Sequence, residues 1–142
     1  MKKLFLALGI GAIALAAIFI WQLQRPESAE KKLEIVSGSV QVIDTATLNV
    51  VGRTISLAGL EPVTMPEAVE AAKGYFTQVG AVACQAADTG WVCKAIQGNK
   101  DVAEVLAFSG LAMAAKTARP SLIDAQNDAR LARRGYWSTV AE

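Results

Sequence analysis

Apolar residues follow three rhythms along the chain: one unbroken block, then short alternating runs, then helical spacings. The block runs from Leu4 to Trp21, 18 residues without a charge. At about 1.5 Å of rise per residue such a helix is roughly 27 Å long, close to the roughly 30 Å hydrocarbon core of a bilayer. Lys2 and Lys3 precede it, Arg25 follows it, and Trp21 stands at the interfacial position that aromatic residues favour. Residues 1–23 are therefore predicted to be an N-terminal transmembrane anchor. A cleaved secretory signal is the rival reading, because Ala14-Leu15-Ala16 is a small-x-small site behind a basic start. The apolar run continues through Ala17 to Trp21, well past that site, and this favours an uncleaved helix.

Residues 24–34 read as a polar linker, since Gln24 to Lys32 offers too few apolar side chains to pack. The rhythm then becomes strand-like. Ile35-Val36 leads through Gly38 to Val40–Ile43, and Thr47–Val51 and Thr54–Leu57 follow, with a tight turn predicted at Val51-Gly52-Arg53-Thr54. Ala81–Cys84 and Trp91–Ile96 give two more strands, joined by Asp88-Thr89-Gly90. Short β-branched runs cut by Gly and Asp-Thr in this way read as hairpins.

Three helices carry their own start signals. Thr64-Met-Pro-Glu67 has the form of a capping box and leads into Ala68, Ala71, Ala72 and Phe76. Asp101-Val-Ala-Glu104 opens a second helix, which Gly110 stops. Ser121-Leu-Ile-Asp124 opens a third, with Leu122, Ala125, Ala129 and Ala132 on one face and Gly135 as its end. Five strands with a helix between the third and fourth is the plan of an OB barrel. The predicted class is α+β: a five-stranded OB-fold β-barrel with three helices over residues 35–139, preceded by one transmembrane helix.

Charge and cysteine content narrow the partners. Residues 26–142 hold 11 Lys and Arg against 13 Asp and Glu, whereas proteins that grip nucleic-acid backbones need a basic face. Nucleic acid is therefore an unfavoured partner. A local basic cluster, Lys116, Arg119, Arg130, Arg133 and Arg134, reads as a solvated helix end matched to the helix dipole. The two cysteines, Cys84 and Cys93, read as one structural disulfide between neighbouring strands of an exported domain. A metal site is not expected there, since the chain has no histidine and no third cysteine. Basic residues flank the block on both sides, so their count does not orient it. The short N-terminal tail and the cysteine pair favour placing the domain on the periplasmic or extracytoplasmic side of the inner membrane.

From Val36 to Trp137 the chain resembles the thermonuclease, or staphylococcal nuclease-like, family. The resemblance is carried by Val42-Ile-Asp-Thr-Ala-Thr-Leu48, Ile55-Ser-Leu-Ala-Gly-Leu-Glu-Pro62, Lys100-Asp-Val-Ala-Glu-Val-Leu106 with Ser109-Gly-Leu-Ala112, and Ala125-Gln-Asn-Asp-Ala-Arg130 through Arg134-Gly-Tyr-Trp137. Many exported members of that family also pair two cysteines across these strands. The resemblance implies a phosphodiesterase in which carboxylates hold Ca²⁺, a Glu activates water and two arginines neutralise developing charge.

The positions to which it assigns those roles hold other residues. The motif Asp-Gly-Asp-Thr reads Asp44-Thr45-Ala46-Thr47, so Ala46 replaces a metal ligand. Ser56 replaces the strand arginine, and Trp91 falls where the second arginine belongs. Glu61 stands for the first acid after Gly59-Leu60, while the water-activating Glu has become Val63 or Thr64. Asp44 and Glu61 supply at most two ligands, too few for a hard cation. No catalytic residue, cofactor or metal is predicted. The expectation is a degenerate, membrane-anchored member that binds or scaffolds as an accessory subunit of a membrane protein complex. The alternative is a Ca²⁺-dependent nuclease with a rearranged site using Asp44, Glu61 and Glu67.

Overall fold

The computed structural model describes residues 33–140. The predicted anchor and the linker up to Lys32 lie outside the described residues. Glu34, read as the end of the linker, is already engaged: the Ala86 N–H donates to its carbonyl at 2.9 Å, and its side chain pairs with Arg53.

Strand β1 (Ile35–Asp44) is one continuous strand, with alternate residues inward and outward as the pleat requires. It runs through Gly38, as the sequence reads, and a Cβ there would collide with the Val51 side chain. β1 serves two partners. Ile35–Ser39 pair with β5 (Ala81–Ala87), and Val40–Asp44 pair with β2 (Thr47–Val50). β3 (Arg53–Ser56) pairs with β2, and β6 (Gly90–Ala95) pairs with β5, giving the order β3-β2-β1-β5-β6.

The two outer strands then meet. Leu57, just past β3, forms a parallel bridge with Trp91 of β6, and the Ala58 N–H donates to the Trp91 carbonyl at 2.9 Å. Glycine at position 90 is what permits this junction, since a Cβ there would lie 2.7 Å from the Ser56 carbonyl oxygen. Strand order, closure and the helix between the third and fourth barrel strands match the five-stranded, partly open Greek-key barrel of the OB plan. A small second sheet, β4 (Leu60–Pro62) with β7 (Ala112–Ala114), lies beside it. β4 has no alternating pattern of its own and escaped the sequence reading.

Helix α1 (Pro66–Val79) buries Ala68, Ala72 and Phe76, spaced four apart on one stripe, and leaves Ala71 exposed. The predicted capping box does not form: Met65 is the N-cap, no side chain caps it, and proline alone presets the first turn. Helix α2 (Val102–Phe108) starts as predicted, with the Glu104 N–H donating to Asp101 Oδ1 at 3.1 Å. Helix α3 (Pro120–Leu131) starts at Pro120 behind Arg119, and the Ser121 hydroxyl accepts from Arg119 Nε instead of capping. Its end also differs from expectation. Arg133, at φ 52°, takes the left-handed position; Arg134 N–H reaches Ala129 O at 2.9 Å and Arg133 N–H reaches Arg130 O at 3.1 Å, the paired bonds of a Schellman motif. Ala132 is therefore outside the buried stripe and exposed.

Gly135 has another duty. It opens a 3₁₀ turn, Gly135–Ser138, whose backbone lies against the end of α2. The Tyr136 N–H donates to the Gly110 carbonyl at 2.9 Å, and a Cβ on Gly135 would lie 2.5 Å from that same oxygen.

The core fills the barrel with Leu48, Val50, Ile55, Leu57, Val82 and the Cys84–Cys93 disulfide, closed by Phe76, Val102 and Leu106 from the helices. Cys84 and Cys93 face each other in register on β5 and β6, as the sequence predicts, and both are fully buried. Ala103, Ala107 and Leu122 form a second cluster between α2 and α3. Trp137 belongs to neither cluster. It packs edge-on to Tyr136 and beneath the Arg130 guanidinium, 5.2 Å from its ring centre.

Gly135→Ala combines a left-handed backbone with a backbone collision. Each effect costs about 1–3 kcal/mol. Urea denaturation is expected to show a loss of about 2–4 kcal/mol; an unchanged midpoint refutes the packing described for Gly110 and Gly135.

Candidate functional site

The positions marked by the sequence do converge. Asp44 to Thr47 form the turn from β1 to β2, Ser56 ends β3 opposite Thr47, and Trp91 bridges to Leu57. Backbone bonds lock these pieces together. The Leu57 N–H donates to the Ala46 carbonyl at 2.9 Å, and the buried Thr45 hydroxyl accepts from the Val63 N–H at 2.8 Å. Thr45 is the one buried polar residue among those described, and its bond holds the β4-to-α1 segment against the β1–β2 turn. Sequence reading passed over it, because nothing in a single threonine announces a partner 18 residues away.

The side chains at this convergence are arranged for structure. Asp44 accepts the Ala46 N–H at 2.8 Å, the Asx turn of a strand-end acid. Ala46 is buried, Ser56 and Thr64 are exposed, and Glu61 lies exposed on β4. Glu67 occupies the first turn of α1, where it matches the helix dipole, and is exposed. Among the described residues no three His, Cys, Asp or Glu side chains come together as a metal site.

Trp91 is the largest side chain here, and strand periodicity explains its position. It shares the inward parity of Cys93 and Ala95 on β6, as Arg53 shares that of Ile55 on β3 and Glu34 that of Val36 on β1. These three extend the inward faces beyond the packed core to the barrel's mouth. There Trp91 packs on the core, the Arg53 guanidinium lies 5.4 Å from its ring centre, and Glu34 pairs with Arg53. Arg53 is the functional-type residue that sequence reading missed. It lies in what reads as a turn, and the only signal was its odd spacing from Ile55.

The basic cluster disperses. Arg119 bonds Asp101 at 2.7 Å and approaches Glu104 at 3.6 Å, which ties the start of α3 to that of α2. Arg134 lies over the Phe108 ring at 4.0 Å, and Arg130 covers Trp137. Arg130 stands in the last turn of α3, as the helix-end reading expects, while Arg119 stands at its start. Burial, and after it the Asp101 carboxylate, raise the Tyr75 phenol above its ordinary pKa.

Two open clefts lie elsewhere. One, of about 700 Å³, is bounded by Lys94, Lys100, Glu104, Phe108, Asp124 and Asp128, and the other, of about 500 Å³, lies between β1 and the end of α1. Neither is lined by Asp44, Ala46, Ser56, Glu61, Val63, Thr64 or Trp91. Among the described residues no helix is long and apolar enough to cross a membrane.

No family model matches the chain, and no curated protein matches it. Among solved structures it is similar to the extended Tudor domain of Drosophila melanogaster Tudor-SN (p100), at 13% identity and a TM-score of 0.47, over 91% of this chain and 87% of that one. The α+β description rests on strand order and closure, not on that likeness.

If Trp91 is a packing element and Arg53 its lid, their removal must differ. Trp91→Ala is expected to cost about 2–4 kcal/mol in thermal or urea unfolding. Arg53→Ala is expected to cost about 1 kcal/mol or less, as for exposed ion pairs and exposed cation–π contacts. Equal losses refute this division of roles.

Proposed function

We propose that the chain is a non-catalytic, thermonuclease-like OB module, tethered to a membrane by residues 1–23, that serves as a binding or scaffold subunit of a membrane protein complex. The observation that carries this reading is the composition of the convergent site. Where the family resemblance assigns a metal ligand, two arginines and a water-activating Glu, the chain has Ala46, Ser56, Trp91 and Val63 or Thr64.

The chemistry follows from those residues. Phosphodiester hydrolysis of the family type depends on a hard cation with several oxygen ligands. Asp44 already accepts the Ala46 amide, and Glu61 alone makes no cage. Losing one preorganised charge typically costs about 10²–10³ in rate, and here four assigned ones are replaced. Arg53 is not a substitute cation, because it pairs with Glu34 and its guanidinium lies over the Trp91 ring, 5.4 Å from its centre.

Placement supports a role outside the cytosol. A buried disulfide is most at home in an oxidising compartment, in keeping with a domain on the periplasmic side of an inner-membrane anchor. The acid excess of residues 26–142 weighs against a nucleic-acid partner.

Plasmid DNA incubated with the purified chain is expected to remain uncut with and without Ca²⁺. Cleavage that appears with Ca²⁺ and vanishes with chelator overturns the reading in favour of a rearranged nuclease using Asp44, Glu61 and Glu67. In mild detergent the chain is expected to migrate with a protein partner; migration only as a free monomer counts against the scaffold role.

A further inference from the structure

We infer that the open edge of β1 at Val40–Val42 is a docking site for an extended, acidic strand of a partner protein, which adds to the sheet through its backbone. The inference rests on the binding-module reading above and makes no use of the anchor. β1 pairs along its first half with β5 and along its second half with β2. β5 reaches back only to Ala81, opposite Ser39. The residues before it belong to α1, which ends at Gly80, where φ is 77° and the N–H donates to the Phe76 carbonyl at 2.9 Å. Beyond Ser39, β1 therefore has β2 on one side and no strand on the other.

The ladder fixes which groups face the open side. Along an antiparallel strand, alternate residues turn their N–H and C=O to opposite neighbours. The Ala86 N–H donates to the Glu34 carbonyl, so every second residue from Glu34, through Val36 and Gly38 to Val40 and Val42, turns to the β5 side. The hairpin gives the same answer independently. Val50 and Arg53 flank a two-residue turn, so Val50 bonds β3, and Gln41, opposite Asn49, is the residue that bonds β2. Among the described residues no hydrogen bond takes up the Val40 carbonyl or either polar group of Val42 on the open side.

Val40 and Val42 line one wall of the cleft of about 500 Å³, and Lys73, Phe76, Thr77 and Gly80 line the other. The helix wall does not satisfy the edge, since the Thr77 hydroxyl donates to the Lys73 carbonyl at 2.9 Å and Phe76 is buried. Other edges are closed: β3 and β6 meet at Leu57 and Trp91, and Gln126 Oε1 takes the Ala114 N–H of β7 at 2.8 Å. One donor between two acceptors, at strand spacing, is the complement of another strand's backbone. The edge is also preformed, because the Val40 and Val42 side chains pack on the barrel core. Of the described residues that line the cleft, Lys73 alone is ionisable, and its exposed bond to Glu70 is a weak surface pair. Charge complementarity therefore selects an acidic strand.

The test uses the full isotope-labelled chain in detergent micelles and a capped probe peptide, Thr-Val-Glu-Val-Glu-Val-Thr, with Val on one face and Glu on the other. Amide exchange is read by NMR. Without peptide, the Val42 N–H is expected to exchange at least about tenfold faster than the Gln41 N–H, which is bonded to β2. Equal protection means that the edge is already paired and overturns the inference. With peptide, exchange at Val42 is expected to slow by about tenfold or more. The same peptide N-methylated at every interior amide keeps its side chains and charge and is expected to leave Val42 fast. No slowing, or equal slowing by both peptides, overturns the inference. Lys73→Glu is expected to weaken peptide binding about two- to fivefold, and unchanged affinity overturns the acidic assignment. Protection of Val42 that rises with protein concentration alone makes a second copy of the chain the occupant and overturns the inference. In mild detergent, excess peptide is expected to release the protein that migrates with the chain. A partner retained under excess peptide overturns the edge as its seat and leaves the scaffold reading standing. A chain that migrates only as a free monomer fails that reading, and this inference with it.

Discussion

A five-stranded sheet that must become a barrel has two edges to join, and in this protein the join is made over a few atoms. Leu57 and Ala58 run alongside Trp91, and Gly90 lets the Ser56–Ala58 backbone approach where any side chain would push it away. If the edges stayed apart, the rows of backbone donors and acceptors on β3 and β6 would remain unpaired. The interior they enclose, from Leu48 to the Cys84–Cys93 disulfide, would also lose its wall. The rest of the molecule is arranged around that junction. Thr45 fixes the segment leading into α1 beside it, and α1 and α2 cover the barrel with Phe76, Val102 and Leu106.

The same junction shapes the functional reading. A catalytic cleft of the thermonuclease type needs charges held apart and facing a phosphate. Here the closing strand presents a tryptophan, and the nearest arginine lies against its ring. At this junction the side chains pack together.

Legibility varied with the distance over which each feature is decided. The strand alternation of β1 and β2, the stripe Ala68-Ala72-Phe76 and the Asp101 cap are written within a few residues and were readable. The cysteine pair was readable too, because strands joined by a short turn have few possible registers. Misreadings arose where a local signal had a distant competitor. Thr64 and Ser121 look like caps, but the prolines at the helix starts preset the backbone without them. Gly135 looks like the end of α3, yet Arg133 ends the helix and Gly135 is reserved for contact with Gly110.

The sequence by itself determined most of the elements and the disulfide partners, since hydrophobic period, residue identity and turn chemistry are local properties of the chain. Only the tertiary structure decided that Leu57 meets Trp91, that Thr45 holds Val63, and that Arg53 lies between Glu34 and Trp91. Those contacts depend on how far a twisted sheet shears before its edges meet, a quantity spread over all five strands. No single segment encodes it.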